Sequence, residues 1–203
     1  MAELDRIPAE VVKRLRDETG AGMMDCKRAL VETAGDVGKA RDLLRTRGLV
    51  SAQKRQGRQA SEGIVDAYLH GDGRIGVLVE VNCETDFVAR TEEFRRLARE
   101  VAMQIAARDP RWITREEVPA DVVEAERKIY EEQARGAGKP EEVIARIVDG
   151  KLRAFLKETV LLEQAYIRED SKTVRDLVTE VAAKVGENVV VRRSARFVLG
   201  EEA

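Results

Sequence analysis

Apolar positions keep helical spacing at the start of the chain, switch to alternation, return to helical spacing, and alternate again near the end. Three short helices are predicted first. Pro8 suits a first helical position, and Val11, Val12 and Leu15 form an apolar stripe. Gly20-Ala21-Gly22 breaks the chain, and a second helix carries Met24, Leu30 and Val31. Gly35 ends it, Asp36 is a good N-cap for a third helix with Val37, Ala40, Leu43 and Leu44, and Gly48 is placed to cap that helix's C-terminus. This unit, residues 1–48, is near the lower size limit for independent folding.

Residues 49–61 read as a basic linker. Arg45, Arg47, Lys54, Arg55 and Arg58 occur with no acid between Arg45 and Ser61. Such a stretch is either a solvated tether or a contact for an acidic partner or RNA. From Glu62 the period is two: Val65, Ala67 and Leu69 alternate with Asp66, Tyr68 and His70. Gly71-Asp72-Gly73 then supplies a turn, and Ile75, Val77, Val79 and Val81 resume. This is a β-hairpin. Its turn also spells G-x-G-x-x-G through Gly71, Gly73 and Gly76, but a strand follows where a phosphate loop needs a helix.

The remainder is mainly helical. Phe94, Leu97, Ala98, Val101 and Ile105 keep helical spacing up to Pro110. A further helix spans about Ala120 to Arg135, and Pro140 starts another with Val143, Ile144 and Ile147. Gly150 is read as interrupting that stripe before Leu152, Phe155 and Leu156 resume it. Val174, Leu177, Val178, Val181 and Val185 form a last helix closed by Gly186, and residues 189–199 form a final strand. The fold class is α+β: an N-terminal three-helix domain, then a core, residues 62–203, with a small antiparallel sheet (hairpin plus C-terminal strand) packed by helices.

Composition narrows the function. The chain has 203 residues, 43% hydrophobic, so it can build a packed core. Its 36 basic and 38 acidic residues nearly cancel, to a net charge of -2, whereas a dedicated nucleic-acid binder shows a basic excess. No apolar run reaches the roughly 18 residues of a membrane span, and Glu3, Asp5, Arg6 and Glu10 precede any apolar stretch, so neither membrane nor secretory signal is expected. A cytoplasmic location follows. Cys26 and Cys83 form no CxxC pattern, and His70 is the single histidine. Reduced structural thiols are therefore expected, with no metal site and no Cys-His nucleophile pair. No Walker loop occurs, and the acid pairs Glu92-Glu93, Glu116-Glu117 and Glu141-Glu142 suit helix starts. The chain reads as a non-enzyme with no catalytic residue and no cofactor. The side chains of Arg192 and Arg193, adjacent on a strand, point to opposite faces and suit ion pairing.

Two apolar presentations remain. Met23-Met24 opens the second helix, and neighbours on a helix point about a hundred degrees apart. Both can hardly enter one small core; one can be core while the other is exposed, and an exposed Met suits a binding surface. The second is Asn82 to Arg90, where a strand gives way to a helix and Asp86 sits beside Phe87. The acid suits a helix N-terminus. The ring either packs into the protein's own core or is presented to a partner.

The stretch Leu15-Arg16-Asp17-Glu18-Thr19-Gly20-Ala21-Gly22-Met23-Met24-Asp25-Cys26-Lys27-Arg28-Ala29-Leu30 and the stretch Glu80-Val81-Asn82-Cys83-Glu84-Thr85-Asp86-Phe87-Val88-Ala89-Arg90 resemble the two signatures of the bacterial elongation factor Ts family. The resemblance continues through Leu161-Leu162-Glu163-Gln164 and Val185-Gly186-Glu187-Asn188-Val189-Val190-Val191-Arg192-Arg193. It implies a ubiquitin-associated-like N-terminal domain and guanine-nucleotide exchange on elongation factor Tu. It further implies that Thr85, Asp86, Phe87 and Val88 enter the partner's nucleotide-binding domain, the ring wedging near its magnesium site so that GDP leaves and GTP reloads. Lys13, Arg16, Met23 and Met24 would dock the N-terminal domain on the same partner. The chain resembles the short form of the family, which implies homodimerisation through the sheet and the helices around 140–165. Three other readings are weaker. A peptide-binding adaptor leaves residues 62–203 unexplained. An RNA-binding module meets near-neutral charge and 4% aromatics, and an enzyme lacks a nucleophile-base set.

Overall fold

A computed structural model of the protein describes residues 7–201. Its elements are α1 (Ala9–Thr19), α2 (Met23–Glu32), α3 (Val37–Arg55), β1 (Glu62–His70), β2 (Ile75–Cys83), α4 (Asp86–Ala89), α5 (Glu92–Arg108), α6 (Ala120–Gly136), α7 (Glu141–Thr159), β3 (Ala165–Tyr166), β4 (Glu169–Thr173), α8 (Val174–Val185) and β5 (Val190–Val198). The fold is α+β, with three N-terminal helices and a small antiparallel sheet in the order β1-β2-β5. The short β3-β4 ribbon is a separate antiparallel pair. The chain divides into two compact units. One holds the described residues up to Ile64 with Val81–Leu97 and Val178–Val190; the other holds Val65–Glu80, Ala98–Leu177 and the described residues from Val191.

In the first unit, Val12, Leu15, Cys26, Ala29, Leu30, Ala40 and Leu44 close a core among α1, α2 and α3. Local chemistry ends α1 and starts α3. Gly20 takes a left-handed conformation and returns its N–H to the Arg16 carbonyl, and the Asp36 carboxylate accepts the Lys39 N–H at 3.0 Å. Gly48 does not end α3, contrary to the boundary expected there, and the helix runs through to Arg55. The physical reason for a glycine at 48 is space. A Cβ there would lie 3.2 Å from the Ala183 Cβ of α8, so the residue lets two helices approach closely. The expected linker is thus helical over its first half. Three cations of the basic stretch around it are paired: Arg45 with Glu180 at 2.8 Å, Arg47 with Glu32 at 2.6 Å and Arg58 with Glu84 at 3.5 Å. Gly63 is a backbone requirement, since its φ is +147 and a Cβ would stand 2.1 Å from the Val81 carbonyl oxygen.

In the second unit, α6 and α7 pack through Ala134, Ile144, Val148 and Leu152. Here too the expectation needs correction: α7 continues through Gly150, and Val143 is exposed instead of joining the stripe. The isolated cost of a mid-helix Gly, about 1 kcal/mol, is small beside the packing on either side of it. Gln104 is fully buried and satisfied. Its amide nitrogen donates to the Gln164 side-chain oxygen and the Ala165 carbonyl, both at 3.1 Å, and its oxygen accepts the Ile167 N–H at 2.9 Å. These bonds fix the β3-β4 ribbon, which alternation did not predict.

Strand β1 also reverses the usual polarity. Its Val65, Ala67 and Leu69 are exposed, while Asp66 and Tyr68 between them are half-buried. Arg99 explains this, lying 3.8 Å from Asp66 and 4.8 Å from the Tyr68 ring centre. Leu78, Phe197 and Leu199 are exposed as well. A Cβ on Gly76 would contact Leu69 at 3.5 Å, and Arg193 pairs with Glu80 at 2.6 Å. Residue alternation then places Leu69, Leu78 and Phe197 on one side of the sheet.

Replacing Gly63 by Ala is expected to destabilise the fold by about 2 kcal/mol or more, because both the backbone angle and the Val81 carbonyl oppose a Cβ. Urea unfolding followed by circular dichroism reads this as a lowered midpoint with an unchanged slope.

Candidate functional site

Strand β2 ends at Cys83, and the chain turns through Glu84 and Thr85 into the single helical turn α4. Thr85 has extended backbone angles and is the N-cap, its hydroxyl oxygen receiving the Val88 N–H at 3.5 Å. The Thr85 carbonyl accepts the Cys83 thiol at 3.1 Å. Two residues past α4, the Thr91 hydroxyl donates to the Val88 carbonyl at 2.7 Å and receives the Phe94 N–H at 3.3 Å, capping α5. The long helix therefore begins at Glu92, and the Asp-Phe pair lies on its own capped turn rather than on that helix.

Rotation about this turn sorts the side chains. Val88 and Ala89 are buried, Asp86 is half-buried, and Phe87 is 79% exposed. The Asp86 carboxylate pairs with Arg90 at 2.7 Å, one turn on. Burying a Phe is worth about 2 kcal/mol, which Phe87 forgoes. The ring is thus presented, not packed into the core.

Behind the corner stands Glu187, just past the end of α8. One carboxylate oxygen accepts the N–H groups of Glu84 and Thr85, each at 3.0 Å, and the other accepts the Thr85 hydroxyl at 2.6 Å. Glu84 reciprocates by accepting the Asn188 N–H at 2.6 Å, and the Asn188 amide donates to the Arg58 carbonyl at 2.8 Å. Neither Glu187 nor Asn188 stood among the sequence-predicted site residues. The available signal was Gly186-Glu187-Asn188, polar residues packed between an apolar helix and an apolar strand.

The N-terminal candidates lie in the same compact unit as the corner. Met23 and Met24 open α2 and are 43% and 58% exposed. Neither is a core residue, so of the alternatives left open for the pair both side chains are exposed. Cys26, Ala29 and Leu30 fill the inner face of α2 instead. Lys13 and Arg16 are exposed on α1. Both cysteines are buried and free. Burial, then the Glu187 charge, pushes the Cys83 thiol up to about 11, and burial raises the Cys26 thiol too. His70 is exposed, its ring nitrogen 3.0 Å from the Tyr68 hydroxyl. Among the described residues no group of His, Cys, Asp and Glu is placed to hold a metal ion, and no helix is long and apolar enough to cross a membrane.

The geometry defines an α+β protein whose distinctive features are apolar side chains held outward at a braced corner and a helix start. Comparison with known proteins gives the family. The elongation factor Ts family model matches residues 49–201. An elongation factor Ts of Caldanaerobacter subterraneus subsp. tengcongensis is 60% identical over 195 residues, covering 96% of this chain and 98% of the relative. Those of Thermoanaerobacter sp. (strain X514) and Coprothermobacter proteolyticus are 58% and 56% identical, each over 96% of this chain and 96% and 99% of the relative. The chain belongs to the elongation factor Ts family.

Because only the thiolate reacts, Cys83 in the folded protein should be modified at neutral pH about a hundredfold or more slowly than a free thiol. Its rate should still be rising above pH 9, since its pKa lies near 11. Timed alkylation with peptide mass mapping checks both points.

Proposed function

We propose that the protein is the guanine-nucleotide exchange factor of elongation factor Tu, acting in the cytoplasm, with no covalent catalysis, no cofactor and no nucleic acid of its own. The observation that carries this reading is Phe87, 79% exposed on a turn whose other side is buried. In the proposed mechanism Thr85, Asp86, Phe87 and Val88 enter the partner's nucleotide-binding domain, with the Phe87 ring between its packed elements. Packed interiors are poorly compressible, so a wedge forces a discrete rearrangement. Mg²⁺ neutralises phosphate charge, so shifting the partner's magnesium site loosens GDP. A factor can drive this only by binding the nucleotide-free state better than the GDP state, and GTP in turn weakens the factor's grip.

Lys13, Arg16, Met23 and Met24 supply a second contact in this reading. Adaptable Met side chains and two cations suit affinity for an apolar, acidic patch. The N-terminal helices, ubiquitin-associated-like in this reading, thus hold the partner while the corner does the displacing.

With the protein at saturating concentration, Phe87→Ala should slow the release of fluorescent GDP from elongation factor Tu by about tenfold or more, as expected for the loss of a central aromatic anchor. Release as fast as with wild type would sink the wedge. Met23→Ala should instead raise the half-saturating concentration and leave the saturated rate within about twofold.

We further propose that the protein is a homodimer. Val65, Leu69, Leu78 and Phe197 are exposed on a sheet and Leu199 just past its last strand, apolar side chains of the kind that mark an interface. Light scattering at micromolar concentration should give twice the chain mass of 22.7 kDa. Phe197→Glu should shift it towards the monomer. A wild-type monomer would remove this proposal without touching the wedge.

A further inference from the structure

We infer that Glu187 is a positioning residue for nucleotide exchange: its carboxylate sets the aim of the Asp86-Phe87 turn, acting through Thr85 and never touching the partner's nucleotide. This rests on the proposed exchange function.

The geometry is specific. Glu84 and Thr85 follow the last residue of β2, so their N–H groups have left the strand and precede the helical turn. Donors that have left the strand ladder need another acceptor. One oxygen of Glu187 takes both, at 3.0 Å each, in the manner of an anion held by successive backbone N–H groups. The other takes the Thr85 hydroxyl at 2.6 Å, a charge-assisted bond. That hydroxyl is the one whose oxygen caps α4 through Val88. Fixing the hydroxyl proton on Glu187 points the oxygen's lone pairs at the helical turn. The cap and the carboxylate therefore form one relay, and Phe87 lies one residue inside it.

The brace is reciprocal. Glu84 accepts the Asn188 N–H while Glu187 accepts the Glu84 N–H, so the two segments are tied in both directions. Asn188 also ties the Arg58 carbonyl, and Arg58 pairs with Glu84. Gly186, with φ +76, ends α8 and turns the chain so that Glu187 reaches the corner. Without Glu187 the turn keeps Val88 and Ala89 in the core, so the fold should survive. What is lost is the fixed direction of the ring.

The test is GDP release from elongation factor Tu with the full-length protein. Glu187→Ala should lower the saturated rate by about tenfold, since a displacement near 1 Å at an acting group costs rates of that order or more. The half-saturating concentration should move by less than about threefold, because the Met23 and Met24 contact is intact. Glu187→Gln keeps the size and one acceptor but not the charge, and should fall between wild type and Glu187→Ala; it carries the test if the Ala variant fails to fold. In a Phe87→Ala background, Glu187→Ala should slow the residual factor-dependent rate by less than about twofold, because a brace without a ring has nothing to aim. Full multiplicative loss in that background would overturn the inference, as would a Glu187→Ala rate within about twofold of wild type when Phe87→Ala slows exchange about tenfold or more. If Phe87→Ala itself exchanges normally, the exchange reading fails first, which separates the two.

Discussion

The structure depends on holding one helical turn from its inner side. A turn of four residues has no helical stability of its own, since nucleation costs more than the single hydrogen bond returns. It exists here because Val88 and Ala89 are buried, because Thr85 and Thr91 cap its two ends, and because Glu187 satisfies the N–H groups that β2 leaves behind. Those constraints act below the turn and leave its upper face free. An aromatic ring on an unsupported loop would fold back onto the nearest apolar surface. On this turn it cannot do so without pulling Val88 and Ala89 from the core.

The C-terminal part of α8 is the common mount for both sets of candidate residues. Glu187 follows its end, and three of its residues meet the N-terminal helices: Ala183 faces Gly48, the Lys184 stem faces Gly20, and Glu180 pairs with Arg45. Lys184 also bridges to Glu93, near the start of α5, at 2.8 Å. Burial alone would raise the Glu93 carboxyl, but Lys184 and Arg96 outweigh it and hold the group below its ordinary value. Exposed ion pairs of this kind contribute little stability. Their use is orientation: close glycine contacts set the distance between helices, and the ion pairs set the rotation.

Much of this was legible in the sequence because it is local. Pro8, Asp36, Gly71 and Gly186 announce their helix starts and turns through backbone chemistry that neighbours do not alter. The misreadings are tertiary. Gly48 and Gly150 read as stops, but a helix long on both sides carries a glycine through, and at 48 the reason lies in Ala183, far away in sequence. Alternation found β1 without saying that Arg99 would cover its polar face and leave Val65 and Leu69 outside. Phe87 posed the same problem, since periodicity cannot say whether a ring faces in or out. Its exposure follows from the rotation of α4, which buries Val88 and Ala89 and leaves Phe87 outside. Gly186-Glu187-Asn188 marked a polar junction, but Glu187's partners lie about a hundred residues earlier and no spacing rule connects them.

Separating the ring from the methionines has a thermodynamic sense within the proposed exchange cycle. A factor that gripped the nucleotide-free partner through one large apolar surface would be hard for incoming GTP to expel, because coupling between the two ligands is reciprocal and limited to the difference in affinity between states. Affinity that does not distinguish the states shifts no equilibrium. The Met23 and Met24 contact, remote in sequence from the corner, can supply such uniform binding, while Phe87 alone senses whether the partner's phosphate site is open. The division works only if the ring cannot relax when the partner resists. A soft corner would let Phe87 yield, and binding at the N-terminal helices would then proceed without displacement. On this argument the carboxylate behind Thr85 matters as much as the ring in front of it: stiffness at the corner is what converts binding into exchange.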